Sequence, residues 1–391
     1  MTFKPKTYHI RTYGCQANMA DSNYLAGVLE ALGFEYSDKA LASDVFLINT
    51  CSIRQKSEDK VYGIGKELKN HTGANPFIII AGCMVGSATG ERKRIELEEL
   101  KGKTPWADYY INPSQLKDLP RILAEQNILS PWAVARLNLD DVLLKSQTSS
   151  QAFVNISYGC DNFCTFCVVP YARGQEVSRS REEILKEVHH LADRGVSHIT
   201  LCGQNVNSWQ LPADQKFEIR TGSEVALPFA SLLRELHEIE GITKIDFLSS
   251  NPFDFTNDLI DTLKLPKISD YLHIALQSGD DVILKKMNRR HSSEDFIQLV
   301  KRIREAKPNI EIGTDLIVGF PTETEEQFNK TVEVVKEVGF NVAFISIYSA
   351  RKGTPAQKFY RDDVPLAEKK RRHKVLTTAW KESKPYAQKS I

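Results

Sequence analysis

Two series of strand-like runs alternating with helix-like patterns organise this 391-residue sequence. The first series occupies the first 125 residues, where YHIRTYGC, DVFLINTC and FIIIAGC are apolar and helical patterns cover 21–32 and 54–69. Regular alternation of strands with helices is typical of parallel strands joined by crossover helices. We therefore predict an α/β fold that begins with a small, open parallel sheet domain over residues 1–125.

The second series follows residues 126–150, which lose the periodicity and end in a polar cluster typical of a linker. Its six strand-like runs are AFVNISYGC, HITLCGQN, KIDFLSSN, YLHIALQSG, IEIGTDLIVGF and VAFISIYSA. Six units are fewer than the eight that close a full barrel, so residues 151–365 predict a partial (β/α)6 barrel. The ligand site is expected at the carboxyl ends of its strands, where Cys160, Gln204, Ser250, Gln277 and Tyr348 fall.

Composition and charge narrow the class of protein. The hydrophobic content of 41% and charged content of 26% are those of ordinary globular domains. No run of about 18 apolar residues and no signal-peptide pattern occurs, which predicts a cytoplasmic protein without a membrane segment. Residues 366–391 predict a basic helix, and nine Lys or Arg face four Asp or Glu from Arg361 to Ile391. This excess is either a solvated helix face or a contact surface for a polyanion.

Three of the seven cysteines, Cys160, Cys164 and Cys167, lie within eight residues. In a reducing compartment, such spacing favours metal binding or catalysis over disulfides. A structural zinc site normally takes four Cys or His ligands, and no nearby residue completes the set. Three thiolates on a 4Fe-4S cluster instead leave one iron open to another ligand. The spacing CxxxCxxC, directly after a strand that opens a βα series, therefore predicts an iron–sulfur cluster.

Cys15, Cys51 and Cys83 form a second set of three, each at the carboxyl end of a strand-like run of the first domain. Ligands of open α/β sheets bind at that edge, so we expect the three cysteines to share a second 4Fe-4S cluster. The alternative is three unrelated buried thiols, because cysteine is also a common core residue. Cys202 fits neither set and is interpreted as a buried core thiol.

Seven segments carry a resemblance to a known family. They are TYGCQANMADS (12–22), INTCSIRQKSEDKV (48–61), AGCM (81–84), GCDNFCTFCVVPYARGQEVSRS (159–180), CGQNVNSW (202–209), LQSGDDVILKKMNRR (276–290) and DLIVGFPTETEEQF (315–328). With them the chain resembles the methylthiotransferases of the radical S-adenosylmethionine (radical SAM) class, and among these the MiaB family of tRNA enzymes. The resemblance spans nearly the whole chain. Relatives usually continue into a small RNA-binding TRAM domain, which we expect to be absent here.

The resemblance implies an N-terminal methylthiotransferase domain with an auxiliary cluster, a radical SAM barrel, two 4Fe-4S clusters and S-adenosylmethionine. The implied reaction is methylthiolation of C2 of N6-isopentenyladenosine beside the anticodon, with sulfur supplied through the auxiliary cluster. The implied partners are a tRNA anticodon stem-loop and an electron donor such as flavodoxin or ferredoxin, and we expect a monomer. The alternatives are a related enzyme acting on threonylcarbamoyladenosine or a ribosomal protein and, more distantly, a non-catalytic iron–sulfur protein.

The resemblance also suggests roles for individual side chains. Cofactor contacts are expected from Phe166, Gln204, Asn205, Gln277, Ser278 and Asp315. From their charge, a carboxylate or an RNA phosphate is expected as the partner of Arg173, Arg179, Arg289 and Arg290, and RNA as the partner of Lys369, Lys370, Arg371 and Arg372. Each of these has a structural alternative, since Phe166 could be a core aromatic, the amides and hydroxyl could fix loops, and a surface arginine often binds nothing.

Overall fold

A computed structural model describes most of the chain. The described residues are 5–53, 55–73, 75–137, 142, 150–212, 214–219 and 222–385. The chain divides into two compact units, the first comprising Met1–Asp161 with Val168–Val177 and the second Asn162–Cys167 with Ser178–Ile391. Most of the predicted linker beyond residue 137 lies outside the described residues, as do residues 386–391 of the predicted basic helix.

The first unit is built on a five-stranded parallel sheet. Its strands are β1 (Thr7–Thr12), β2 (Glu35–Tyr36), β3 (Val45–Thr50), β4 (Phe77–Gly82) and β5 (Tyr109–Ile111). They are hydrogen-bonded in the order β2-β1-β3-β4-β5, and every pair is parallel. Two further strands, β6 (Gln151–Asn155) and β7 (Ser157–Tyr158), follow later in the chain. The predicted open parallel α/β sheet is thereby confirmed.

The helices of the first unit bury both faces of this sheet. They are α1 (Gln16–Ala31), α2 (Gln55–Lys69), α3 (Cys83–Thr89), α4 (Leu97–Lys103), α5 (Leu119–Glu125), α6 (Pro131–Ala135) and α7 (Val169–Ala172). Successive side chains of a strand point to opposite faces. Leu47 of β3 accordingly joins one apolar core with Leu25 and Leu29 of α1, whereas Phe46 and Ile48 join the other.

The second unit carries a longer parallel series. Its regular strands are β9 (His198–Cys202), β10 (Lys244–Phe247), β11 (Tyr271–His273), β12 (Glu311–Val318) and β13 (Val342–Ile347). The two-residue strand β8 (Val177–Ser178) precedes them, with Val177 in the first unit and Ser178 in the second. β9 pairs with β10, and β11, β12 and β13 pair in that order, all parallel. Parallel bridges at Ser250↔Ile274 and Ile245↔Ile268 connect the two groups. All six predicted strand runs are therefore strands, the first of them being β6.

Helices follow the strands of the second unit. They are α8 (Arg181–Asp193), α9 (Pro228–Glu238), α10 (Asn257–Thr262), α11 (Asp281–Lys286), α12 (Ser293–Ala306), α13 (Glu325–Val338), α14 (Pro355–Phe359) and α15 (Leu366–Ser383). Capping boxes open three of these helices, at Ser180 before α8, Ser292 before α12 and Thr324 before α13. Each box satisfies backbone N–H groups that the helix leaves unpaired and contributes about 1 kcal/mol. The loops that lead into these three helices are thereby fixed at their helix ends.

The basic helix α15 is bound to the second unit through one of its faces. Lys369, Arg372, Leu376 and Ala379 are its buried residues. The Trp380 indole at its carboxyl end donates a hydrogen bond of 2.9 Å to the carbonyl of Phe340. Two of its cations are therefore part of the packing rather than of a solvated face.

Candidate functional site

Three free thiols lie at one edge of the first-unit sheet. Cys15 follows β1, Cys51 directly follows β3, and Cys83 directly follows β4 and begins α3. These three strands are neighbours in a parallel sheet, so their carboxyl ends lie side by side. Cys51 and Cys83 are buried and Cys15 is partly exposed. The sequence prediction of three cysteines at one sheet edge matches this placement.

A buried polar network adjoins these thiols. Arg173, the residue after α7, donates hydrogen bonds to the Asp21 carboxylate (2.8 Å) and to the Asn18 side-chain oxygen (3.0 Å). The other Asp21 oxygen accepts from the side chain of Asn155 at 2.8 Å. Cys15 Sγ lies 3.5 Å from the same Asn18 oxygen. All four polar side chains are buried, which ties the network to the thiol edge.

Burial shifts the pKa values of the ionisable side chains at this edge. It raises the pKa of the Cys83 thiol to about 11, and the nearby guanidinium of Arg173, which hydrogen-bonds that thiol, opposes the rise. Burial also raises the pKa of Asp21, again against the influence of Arg173. Although burial by itself lowers the pKa of Arg173, Asp21 together with Cys83 and Cys15 holds it well above the ordinary value. Arg173 is therefore charged, and its charge faces thiols.

The donor set suits a cluster better than a single ion. Over the described parts of the chain, no three His, Cys, Asp or Glu side chains converge as ligands of one metal ion. A cubic 4Fe-4S cluster binds each cysteine through a different iron, so its thiolates need not meet around one point. Three cysteines without a fourth Cys or His fit such a cluster and leave a zinc site incomplete.

The first cysteine of the CxxxCxxC motif belongs to the first unit. Cys160 is buried, and its backbone N–H donates to the carbonyl of Gly174 at 3.2 Å. Gly159 before it has φ +69°, and a Cβ there would lie 1.9 Å from the carbonyl oxygen of Gln175. Only glycine combines that φ with so close an approach of two backbones.

The other two cysteines of the motif, Cys164 and Cys167, belong to the second unit and are partly exposed. A turn joins them, since the Cys167 N–H donates to the Cys164 carbonyl at 2.9 Å. Thr165 fixes this turn, because its N–H donates to the backbone carbonyl of Met287 (3.1 Å) and its hydroxyl donates to the backbone carbonyl of Lys286 (2.8 Å). The loop is therefore held by the end of α11.

Arg289 faces Cys164 rather than the surface. Its Nη1 lies 3.4 Å from Cys164 Sγ, and its Nη2 donates to the carbonyl of Ala275 at 2.8 Å. The guanidinium also lies over the ring of Phe253, 5.1 Å from its centroid. The side chain is buried, so Arg289 is poorly placed for the RNA contact that the sequence suggested, and its positive charge lies next to Cys164 instead.

Phe166, between the last two cysteines, packs against an apolar cluster that includes Met287, Phe320 and Tyr348. Its ring is thus partly buried in the core of the second unit. This packing agrees with the core-aromatic interpretation, and it leaves the partly exposed side of the ring available to a ligand.

Two of the expected cofactor-binding side chains remain partly exposed, Gln204 just after β9 and Asp315 within β12. The Asp315 carboxylate is fixed by the imidazole of His273 at 2.8 Å, and Tyr271 contacts the other side of that imidazole at 3.1 Å. Sequence reasoning missed His273. The only indication was a histidine inside a strand-like run, which is also common in ordinary cores.

The other three candidates are buried in protein contacts. Asn205 donates to Asp254 (3.0 Å) and accepts from Asn251 (2.8 Å), which fixes the loop after β9. Ser278 accepts from the N–H of Asp280 at 3.3 Å. Gln277 has φ +75°, a left-handed backbone conformation that costs a non-glycine residue about 1 kcal/mol or more. These residues shape the strand ends, and such strain is typical of functional loops.

Most of the proposed RNA contacts are also engaged within the protein. Arg173 is buried beside the thiols, Arg179 pairs with Glu187, and Arg290 pairs with Asp254 at 3.0 Å. On α15, Lys369 and Arg372 are buried, whereas Lys370 and Arg371 are exposed. A buried, paired cation is a poor phosphate ligand, which argues against direct contacts by Arg173, Lys369 and Arg372. Arg179 and Arg290 are paired but partly exposed, so for them and for the exposed cations of α15 the RNA contact stays a prediction.

Comparisons with known families agree with this division of the chain. The radical SAM superfamily matches residues 154–335, and the "Uncharacterized protein family UPF0004" matches residues 7–105. The radical SAM methyltransferase TsrM from Kitasatospora setae has a similar fold, with a TM-score of 0.63 at 14% identity over 90% of this chain and 75% of that one. None of the helices among the described residues combines the length and the hydropathy that a membrane span requires.

Curated relatives identify the family. A tRNA-2-methylthio-N(6)-dimethylallyladenosine synthase from Clostridium tetani is 40% identical over 378 residues, which are 95% of this chain and 80% of that protein. An enzyme of the same name from Bacillus mycoides is 39% identical over 381 residues, 95% of this chain and 72% of that protein. With its two cysteine triads in these two matched regions, the chain belongs to the radical SAM superfamily and, within it, to the MiaB family of tRNA methylthiotransferases.

Proposed function

We propose that this protein transfers a methylthio group to C2 of N6-isopentenyladenosine beside the anticodon of tRNA. The observation that carries the proposal is the pair of cysteine triads, one at the edge of the first sheet and one in the CxxxCxxC loop. Two sets of three cysteines support two 4Fe-4S clusters, each with one iron left for another ligand. A carrier of electrons alone would have its irons saturated by protein.

The cofactors supply chemistry that side chains lack. One cluster with S-adenosylmethionine provides radical cleavage of an unactivated C–H bond, and the auxiliary cluster provides sulfur. The protein's own contribution is to hold six thiolates and to offset their charge. Burial raises the pKa of Cys83, so iron binding there must displace its proton, and Arg173 favours that loss. Arg289 places its guanidinium 3.4 Å from Cys164 Sγ, where its positive charge would offset part of the charge of a bound cluster.

S-adenosylmethionine would be held at the carboxyl ends of the second-unit strands. Gln204 offers an amide there, and the Asp315 carboxylate, fixed by His273, offers an acceptor for hydroxyl or amino groups. Asn205 and Ser278 act through the loops that they fix. The partly exposed ring of Phe166 provides an apolar surface for an adenine.

The partners and location follow from the same chemistry. Exposed Lys370, Arg371 and Lys374 on α15 suit phosphates of an anticodon stem-loop, which such contacts hold without reading sequence. Reductive cleavage of S-adenosylmethionine consumes electrons, so we propose an electron donor of the flavodoxin or ferredoxin class. We also propose that the protein acts as a monomer in the cytoplasm, where tRNA is available and thiols stay reduced.

The test is a reconstituted, anaerobic reaction with three RNA or protein substrates. Nucleoside mass spectrometry should detect the methylthiolated product on an anticodon stem-loop that carries N6-isopentenyladenosine. Replacing Cys51 by Ala should abolish the product, whereas replacing Cys202, a buried thiol outside both triads, should preserve it. Product on a threonylcarbamoyladenosine stem-loop or a ribosomal protein, and not on the first substrate, would contradict the proposal.

A further inference from the structure

The thiol edge of the first unit has an electrostatic requirement of its own. Three thiolates in a largely buried site carry negative charge into a region of low dielectric, which is costly without a cation nearby. Arg173 supplies a buried guanidinium at this edge, and the Asn18 oxygen to which it donates also lies 3.5 Å from Cys15 Sγ. Two side chains hold it, Asp21 at 2.8 Å and Asn18 at 3.0 Å. The cation is therefore fixed in direction as well as in charge.

The backbone brings Arg173 to this place. α7 ends at Ala172, and α3 begins at Cys83, so these two short helices carry the cation and one of the thiols. They touch through Gly86, where an added Cβ would lie 1.9 Å from the carbonyl oxygen of Ala172. Such an approach is possible only with glycine. The contact sets how closely Arg173 approaches Cys83.

We infer that Arg173, oriented by Asp21, is a positioning residue that sets the charge balance and the reduction potential of the auxiliary cluster. The inference rests on the proposed function, which places that cluster on Cys15, Cys51 and Cys83. Reduction adds one electron to the cluster and moves no atom. A fixed cation stabilises the more negative, reduced form and so raises the reduction potential. The Asp21 carboxylate offsets part of that positive charge.

Substitutions of the two partners should consequently shift the potential in opposite directions. Arg173→Met removes the cation and should make the potential more negative. Asp21→Asn keeps the size of the side chain, removes the anion, and should make the potential more positive. Arg173→Lys keeps the charge and should fall between Arg173→Met and the parent protein. A purely structural role for the pair predicts no such opposition, because either substitution only loosens the site.

The experiment uses a background in which Cys160, Cys164 and Cys167 are Ala, so that only the auxiliary cluster remains. Iron content is measured first, and the midpoint potential follows from a titration monitored by electron paramagnetic resonance. Arg372→Met, which breaks a buried ion pair of the second unit, is the matched control and should leave the potential unchanged. Absence of iron in the background protein would refute the two-cluster proposal itself.

With iron bound, the two outcomes are distinct. Opposite shifts in Arg173→Met and Asp21→Asn support the inference. Equal potentials, or shifts in the same direction, would overturn it and leave the two-cluster proposal standing. If Arg173→Met does not retain iron, Asp21→Asn and Arg173→Lys decide the matter, since a potential unchanged in both contradicts the inference.

Discussion

Replacing Arg372 by Met should loosen α15 by about 3–5 kcal/mol, the usual cost of breaking a buried ion pair from one side. The side chains of Arg372 and Glu323 are 6% and 1% exposed, and their closest approach is 2.8 Å. Arg372 also donates to the Glu323 carbonyl at 2.8 Å and to Glu368 at 2.7 Å. Without it, the Glu323 carboxylate retains its bond from the N–H of Gly319 at 2.7 Å, which does not neutralise the charge.

The loss of α15 stability in Arg372→Met should depend on pH. Burial raises the pKa of Glu323 in the folded protein, while Arg372 opposes the rise, so the substitution should raise this pKa further. A carboxyl whose folded pKa is raised contributes stability below its unfolded pKa, 4.5, and loses it as the pH rises through the folded pKa. The variant should therefore be least impaired at low pH, where Glu323 is protonated, and most impaired near neutrality.

Hydrogen exchange read by mass spectrometry on peptides from 366–383 measures the local opening of α15 in the 391-residue chain. Arg371→Met is the matched control, because Arg371 is exposed and solvent screens its ion pairs with Glu368 and Glu325. Equal effects of the two substitutions would refute the assignment of Arg372 to the packing. A pH-independent loss would refute the role of the unpaired Glu323 carboxylate.

Three further outcomes are expected. Replacing Lys370 and Lys374 by Ala should weaken stem-loop binding without changing hydrogen exchange in α15. The slope of log K against log salt concentration should become less steep by about 0.7–0.9 for each phosphate that the protein no longer neutralises. An unchanged slope would mean that this face of α15 is only solvated. Replacing Cys160, Cys164 and Cys167 by Ala should lower the iron content of the reconstituted protein from about eight to about four, and complete loss would contradict two separate sites. Gln204→Ala should weaken S-adenosylmethionine binding in calorimetry without lowering the thermal midpoint of unfolding. Asn205→Ala should lower both the affinity and the thermal midpoint, and a midpoint equal to that of the parent protein would contradict a structural role for Asn205.

The thiol edge was predictable because local pattern and topology agree there. Apolar runs that end in Cys15, Cys51 and Cys83 predict parallel strands, and parallel strands bring their ends together. The edge strands β2 and β5 were not predictable, since two or three residues carry no periodicity. The start of α1 was misplaced by five residues because Asn18 and Asp21 interrupt the apolar pattern that marks a buried helix face.

The partners of the arginines were the least predictable part of the site. Arg173 and Asp21 are separated by 152 positions, and no local pattern relates them. On α15, Lys369 and Arg372 occupy buried positions that a binary pattern assigns to solvent. In both cases the sequence shows a cation and the fold supplies its carboxylate. A basic run therefore predicts charge without predicting which of its members are free to bind RNA.

The ten residues Val168–Val177 belong to the first unit, although they follow directly on Cys164 and Cys167, which belong to the second. This has a consequence for dissecting or recombining the protein. A fragment that ends at residue 150 would retain Cys15, Cys51 and Cys83 and would lose Arg173, leaving Asp21 as a buried carboxylate without its cation. Chimeras with related enzymes should therefore take 1–161 and 168–177 from the same parent and should take 162–167 from the parent that supplies the second unit.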